Sequence, residues 1–186
     1  MDTTHWRYFL SIEEDFIRTT KFVELHSDNF NTYSIEFTKI YLTICSEIDV
    51  VCKILCNEVL SNNTNNINQY RDVLTSKYPH FPDNEIIIES VNLAFKPWEE
   101  WKNGINPDWW RNYNNVKHQR NKFYQEASLK NTINSLVGLF ILEFHYYGEK
   151  YNQFPPIKAK LIGDSYFGGA WVTGPEKKMI DLTHIV

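Results

Sequence analysis

The stretch Phe37-Thr38-Lys39-Ile40-Tyr41-Leu42-Thr43-Ile44-Cys45-Ser46-Glu47-Ile48-Asp49-Val50-Val51-Cys52-Lys53-Ile54-Leu55 decides the fold class. Phe37, Tyr41, Ile44, Ile48, Val51 and Leu55 step by four and three, the spacing that lines one face of an α-helix. No Gly or Pro interrupts the run, so a helix is expected from about Thr32 to Leu60, ended by Ser61-Asn62-Asn63.

Toward the N-terminus, Phe9, Ile12, Phe16 and Val23 recur at helical spacing, with Glu13, Glu14, Asp15 and Lys21 off the stripe. They predict a first helix over Tyr8 to Leu25, broken at His26-Ser27-Asp28-Asn29. Toward the C-terminus, Thr64 can cap a third helix carrying Ile67, Tyr70, Leu74 and Tyr78. Pro82-Asp83-Asn84 is a turn signal, and Glu85 to Glu89 reads as either a short strand or one helical turn. After the aromatic connector from Lys96 to Gly104, Asn106-Pro107-Asp108 starts a fourth helix, Trp109 to about Gln125. Ser128 can cap a fifth, with Leu129, Ile133, Leu136, Phe140, Phe144 and Tyr147 in step and Gly148 at its end. Residues Leu136 to Phe144 are apolar almost all round, except Gly138 and Glu143, which puts this helix at the centre of a bundle. Gly138 either admits a neighbouring helix or is merely tolerated. The expected fold is all-α: a compact up-and-down bundle of about five helices over 1–150. A C-terminal extension follows over 151–186, in which Ile157 to Ile162 and Ala170 to Thr173 can pair as a small hairpin.

At 186 residues, 42% hydrophobic and 23% charged, the chain can bury one core and is too apolar to be disordered. No run of eighteen apolar residues exists, so no membrane-spanning helix is expected. The N-terminus lacks the basic start and apolar run of a signal peptide. Cys45, Cys52 and Cys56 lie on one helix face, which suits buried thiols rather than a disulfide framework or a zinc site. Together these features predict a cytoplasmic protein. His5, His26, His80, His145 and His184 form no metal-ligand spacing, and neither metal nor other cofactor is expected. The net charge of −4 excludes a protein that coats nucleic acid or membrane with its whole surface. A local basic patch remains compatible with it.

That patch is in the fourth helix. From Trp109 to Gln125 there is no acidic residue, and Arg111, Lys117, Arg120 and Lys122 are cationic. Arg111 and His118 are seven apart and lie on nearly the same helical face, with Asn114 and Asn115 between them and Asn121 and Lys122 beyond. Trp109, Tyr113, Val116 and Phe123 form the opposing apolar stripe, into which Arg120 falls. A face of Arg, Asn and His suits a phosphodiester. Arg presents a planar fork to phosphate oxygens, imidazole exchanges a proton near neutrality, and Asn can bond a ribose hydroxyl or base edge. The same residues also occur on plain solvated faces.

Arg111-Asn112 followed by His118 resembles the R-N/D/H-x(4–6)-H signature of the HEPN superfamily, as found in bacterial HEPN-like proteins, over roughly Thr32 to Tyr147. The resemblance implies a helical bundle that binds RNA and cleaves it without metal, as in toxin–antitoxin, antiphage defence and RNA-processing systems. It implies that a ribose 2′-hydroxyl attacks the adjacent phosphorus, with His118 as general acid or base and Arg111 stabilising the transition state. Asn112, Asn114 or Asn115 would position the ribose, with Lys117 and Lys122 beside the substrate. It also implies a homodimer, with an antitoxin or regulatory protein as a further partner. Arg111 and Arg120 both remain open as the functional arginine. The alternative is a noncatalytic interaction module of the same architecture, and a weaker one is a nucleotide-binding regulator.

Glu47 lies among Ile40, Ile44, Val51 and Ile54, where a carboxylate needs a partner. Arg120 is the expected one, as an interhelical structural pair; in the functional version Glu47 orients His118 or Lys117. Trp98, Trp101, Trp109 and Trp110 are expected in the core or an interface, base stacking being the minor reading.

Overall fold

The structure, a computed structural model, describes residues 1–162. It is mostly helical: α1 (Thr4–Thr19), α2 (Ile35–Ile54), α3 (Ile67–Lys77), α4 (Asp108–Phe123) and α5 (Leu129–Tyr151), with one small hairpin of β1 (Ile86–Ile88) and β2 (Leu93–Phe95). None of these helices is long and apolar enough to cross a membrane.

α2 and α5 form the centre. Ser34 caps α2 by accepting from the Phe37 N–H at 3.0 Å, and Ser128 caps α5 by accepting from the Asn131 N–H at 3.3 Å. The two caps lie side by side, since Tyr33 bridges Ser128 and the Leu129 N–H donates to the Thr32 carbonyl at 2.8 Å. Further along, Glu47 and Glu143 meet again, so α2 and α5 run in the same direction. α1 runs against both: the Trp6 N–H donates to the Tyr147 hydroxyl at 3.2 Å, and Phe9 packs on Phe140. The bundle is therefore not up-and-down throughout. α3, the β1–β2 hairpin and α4 form a long crossover that lets α2 and α5 run side by side in one direction. Ile44, Ile48, Val51, Leu136 and Phe140 are all buried in the core, as their periodicity predicted.

Element ends depart from expectation for local reasons. α1 starts earlier than Tyr8 because Asp2 accepts from both the Thr4 N–H and the Thr4 hydroxyl. It stops at Thr19 because the Thr19 and Thr20 hydroxyls turn back onto the Phe16 and Ile17 carbonyls at 2.6 and 2.7 Å. α2 continues as a π-turn over Leu55–Val59, which lets Leu55 and Cys56 both face the core. Thr64 does not cap α3: Asn66 does, accepting from the Asn68 and Gln69 N–H groups, while Thr64 is buried and bonded to Asn57. The ambiguous segment after Glu85 is a strand, paired antiparallel with Leu93–Phe95 around Asn92 in the left-handed conformation. Gly148 does not end α5; the helix runs on to Tyr151, and Asn152 takes the left-handed cap at φ 51°.

Of the C-terminal extension, residues 151–162 are described, and Ile157 to Ile162 form bends and irregular backbone rather than a strand. The expected hairpin partner, Ala170 to Thr173, lies outside the described residues. The described part packs back on α1. The Glu13 carboxylate, buried and not solvated as its place off the stripe suggested, accepts from the N–H groups of Lys160, Leu161 and Ile162 at 2.8, 2.8 and 3.2 Å. Trp6 Nε1 donates to the Ile157 carbonyl at 2.7 Å.

Candidate functional site

α4 is amphipathic as its sequence implied. Trp109, Trp110, Tyr113 and Val116 are buried, and the Tyr41 hydroxyl donates to the Trp109 carbonyl. Burial pushes the Tyr41 and Tyr113 hydroxyls up, so both stay protonated donors. The Trp109 Nε1 donates to the Pro97 carbonyl at 2.7 Å and the Trp98 Nε1 to the Gly138 carbonyl at 3.2 Å. With their rings buried, Trp98, Trp101, Trp109 and Trp110 are core residues, not stacking platforms.

The polar side divides into two halves. At the N-terminal half Arg111 pairs with Asp108 and donates from Nη1 to the Asn106 carbonyl at 3.0 Å. The guanidinium thus points back along the helix, away from His118. Seven residues of helix separate the two by about 10 Å along the axis, so within one chain they share a side but not a reacting centre. Asn114 donates to the Trp110 carbonyl at 3.0 Å and Asn115 to Glu126 at 3.0 Å, which occupies one amide donor of each. Asn112 lines a concavity of about 630 Å³ together with four acids, Glu99, Glu100, Asp108 and Glu126, and two lysines, Lys96 and Lys130. Its acidic lining disfavours a phosphate there.

The C-terminal half is different. Lys117, His118, Arg120 and Lys122 are all exposed. None of them forms an ion pair among the described residues; Lys117 lies over the Tyr113 ring, 5.4 Å from its centroid. Arg120 was expected in the apolar stripe and is not there. Gln119 leaves helical geometry at φ −139° and ψ 46°, so residues beyond it are re-phased and Arg120 turns to solvent.

Arg120 consequently does not meet Glu47. The partner of Glu47 is His5 in the first turn of α1, with Nδ1 2.6 Å from Oε1. Glu143 of α5 lies beside them: one ligand atom from each of His5, Glu47 and Glu143 falls within 4.8 Å of the others. Glu143 is fully buried, and neither carboxylate oxygen has a hydrogen-bond partner among the described residues. Burial first, and then the Glu47 carboxylate, hold its pKa well above the usual carboxylate range. Sequence reasoning marked Glu47 as a buried acid and Glu143 as a polar break in an apolar helix, but no motif joins either to His5.

Comparison of the chain with models of protein families, with curated proteins and with solved structures finds no match.

Proposed function

We propose that this chain is a HEPN-like RNA-binding protein that engages RNA through the C-terminal half of α4 and cleaves it without a metal ion. The observation that carries this reading is the exposure of Lys117, His118, Arg120 and Lys122 within six consecutive positions, with no acidic partner among the described residues, in a protein of net charge −4. Unpaired cations need no internal ion pair broken before they meet a phosphate, and they release counterions when they do. In the proposed reaction the ribose 2′-oxygen bonds to the adjacent phosphorus as the bond to the 5′-oxygen breaks. The products are a 2′,3′-cyclic phosphate and a 5′-hydroxyl. His118 takes the proton of the nucleophile or supplies that of the leaving group. Arg120, exposed and unpaired among the described residues, is the better candidate for the phosphorane-like charge than Arg111, which Asp108 and Asn106 already hold. A cytoplasmic homodimer would set two α4 faces on one RNA, with an antitoxin-like protein as the partner that covers them.

The engagement of Arg111 also favours a second reading, in which the same face binds RNA or a regulatory partner without cutting. Incubation with single-stranded RNA in excess EDTA separates the two, with folding checked by circular dichroism. The nuclease reading expects ends in 2′,3′-cyclic phosphate, resistance of a substrate with deoxyribose at the cut site, and a loss of roughly 10²–10⁴-fold in His118→Ala. Binding with no cleavage supports the noncatalytic module. Cleavage that survives His118→Ala refutes the assigned chemistry.

A further inference from the structure

We propose that His5, Glu47 and Glu143 form a binding site for one divalent first-row transition-metal ion, clamping α1 to the central helices α2 and α5. This goes beyond the RNA reading and does not depend on it, since no ligand lies in α4.

The geometry is the first argument. Three donors from three separate helices converge with their ligand atoms within 4.8 Å of one another. Bundle cores commonly build metal sites from carboxylates and His on facing helices. Metal bonds of about 2.0–2.2 Å to such ligands need only modest closure from this spacing. The second argument is the state of Glu143. A fully buried carboxyl group with both oxygens unbonded is costly, because a buried polar group without a partner loses its hydration for nothing in return. It faces another carboxylate, Glu47, and forms no ion pair among the described residues. His5 bonds Glu47 through Oε1, which leaves Glu143 without a partner among the described residues.

A divalent ion supplies what is missing. With neutral imidazole and two carboxylates the centre carries no net charge, which suits its apolar setting. The imidazole donor selects a transition ion such as Zn²⁺ or Mn²⁺ over Mg²⁺ or Ca²⁺, which prefer all-oxygen shells. Three protein ligands leave a coordination position open for water. His5 provides the way in, since its side chain is 21% exposed while that of Glu47 is 10% exposed.

The test uses tag-free full-length protein, stripped with EDTA and exchanged into chelator-free buffer. Zn²⁺ and Mn²⁺ are titrated by calorimetry, and thermal unfolding is followed at each ion concentration. The expected result is saturation at one ion per chain, with a melting temperature that climbs as the ion is added. Glu143→Gln should keep the apo fold and weaken binding by more than the about 10–100-fold that loss of a mere outer partner costs. His5→Gln, at the exposed edge, should do the same and decides the matter if Glu143→Gln does not fold. Cobalt bound to the wild type should give a visible absorption band that either variant abolishes. Absence of saturable binding, wild-type affinity in the folded variants, or binding of Mg²⁺ in preference to Zn²⁺ and Mn²⁺ would overturn the proposal.

Discussion

Glu13→Ala should unlatch the C-terminal segment from the bundle. The Glu13 carboxylate is 1% exposed and holds three consecutive backbone N–H groups, of Lys160, Leu161 and Ile162. Hydrogen bonds to a charged group contribute about 1.5–3 kcal/mol each, so three of them come to roughly 4.5–9 kcal/mol gross. Two effects reduce it. The released residues regain about 1–2 kcal/mol each of backbone freedom, and removal of the carboxylate relieves its desolvation. A net destabilisation of about 1–3 kcal/mol follows. In a chain of this length each kcal/mol moves the melting temperature by about 2–4 °C, so the drop should be on the order of 2–12 °C. The site-specific assay is amide hydrogen exchange at residues 160–162, which should lose protection while α2 and α5 keep theirs. Burial outweighs the three N–H donors and raises the Glu13 pKa, so the folded chain holds this proton to higher pH than the unfolded chain. The unfolded state then binds fewer protons, and stability falls as pH rises from the ordinary glutamate range through the folded value. Glu13→Gln should flatten that slope. Unchanged exchange at 160–162 in Glu13→Ala would refute the latch.

Three further outcomes are expected. A Cβ at Gly138 would stand 3.4 Å from both Trp98 and Trp109 and 3.5 Å from Pro97, within ordinary contact. Gly138→Ala should therefore keep or raise the melting temperature, gaining up to about 1 kcal/mol of helix propensity, whereas Gly138→Leu must displace the indoles and should lose about 1–3 kcal/mol; paired thermal melts decide. Burial raises the thiols of Cys45 and Cys52 well above the usual range and that of Cys56 to about 11, so none is a thiolate at neutral pH. A thiol-specific chromogenic reagent should label none of them in the native protein and all three after unfolding. Ser128→Ala, which removes the α5 cap, should cost about 1 kcal/mol, measured by denaturant midpoint at constant slope.

The helices most legible in the sequence were those whose stripes are unbroken. α2 could be read because Phe37 to Leu55 offers no competing period, and the core place of α5 because almost every face from Leu136 to Phe144 is apolar. What could not be read depended on backbone detail or on distant pairing. The kink at Gln119 has no Gly or Pro to announce it, and a periodic reading carried Arg120 straight through it into the core. The need of Glu47 for a partner was visible, but the partner's identity was not. His5 reaches it only because α1 runs against α2, a fact of topology that spacing within either helix does not contain. For the same reason the significance of Glu143 was hidden: its neighbours in space are 96 and 138 residues away in the chain. The run of cations in α4, by contrast, was legible because it is local, although the side to which Arg120 turns was not.

The most direct test of the central claim is the salt dependence of RNA binding. Fluorescence anisotropy of a labelled single-stranded RNA should be measured over a range of salt for the wild type and for a variant with Lys117, Arg120 and Lys122 all changed to Ala. Each phosphate contact on single strands contributes about −0.7 to the slope of log K against log salt. The variant should therefore bind more weakly and its slope should be shallower by about 2, three contacts at that value. Wild-type affinity and slope in the folded variant would contradict the account.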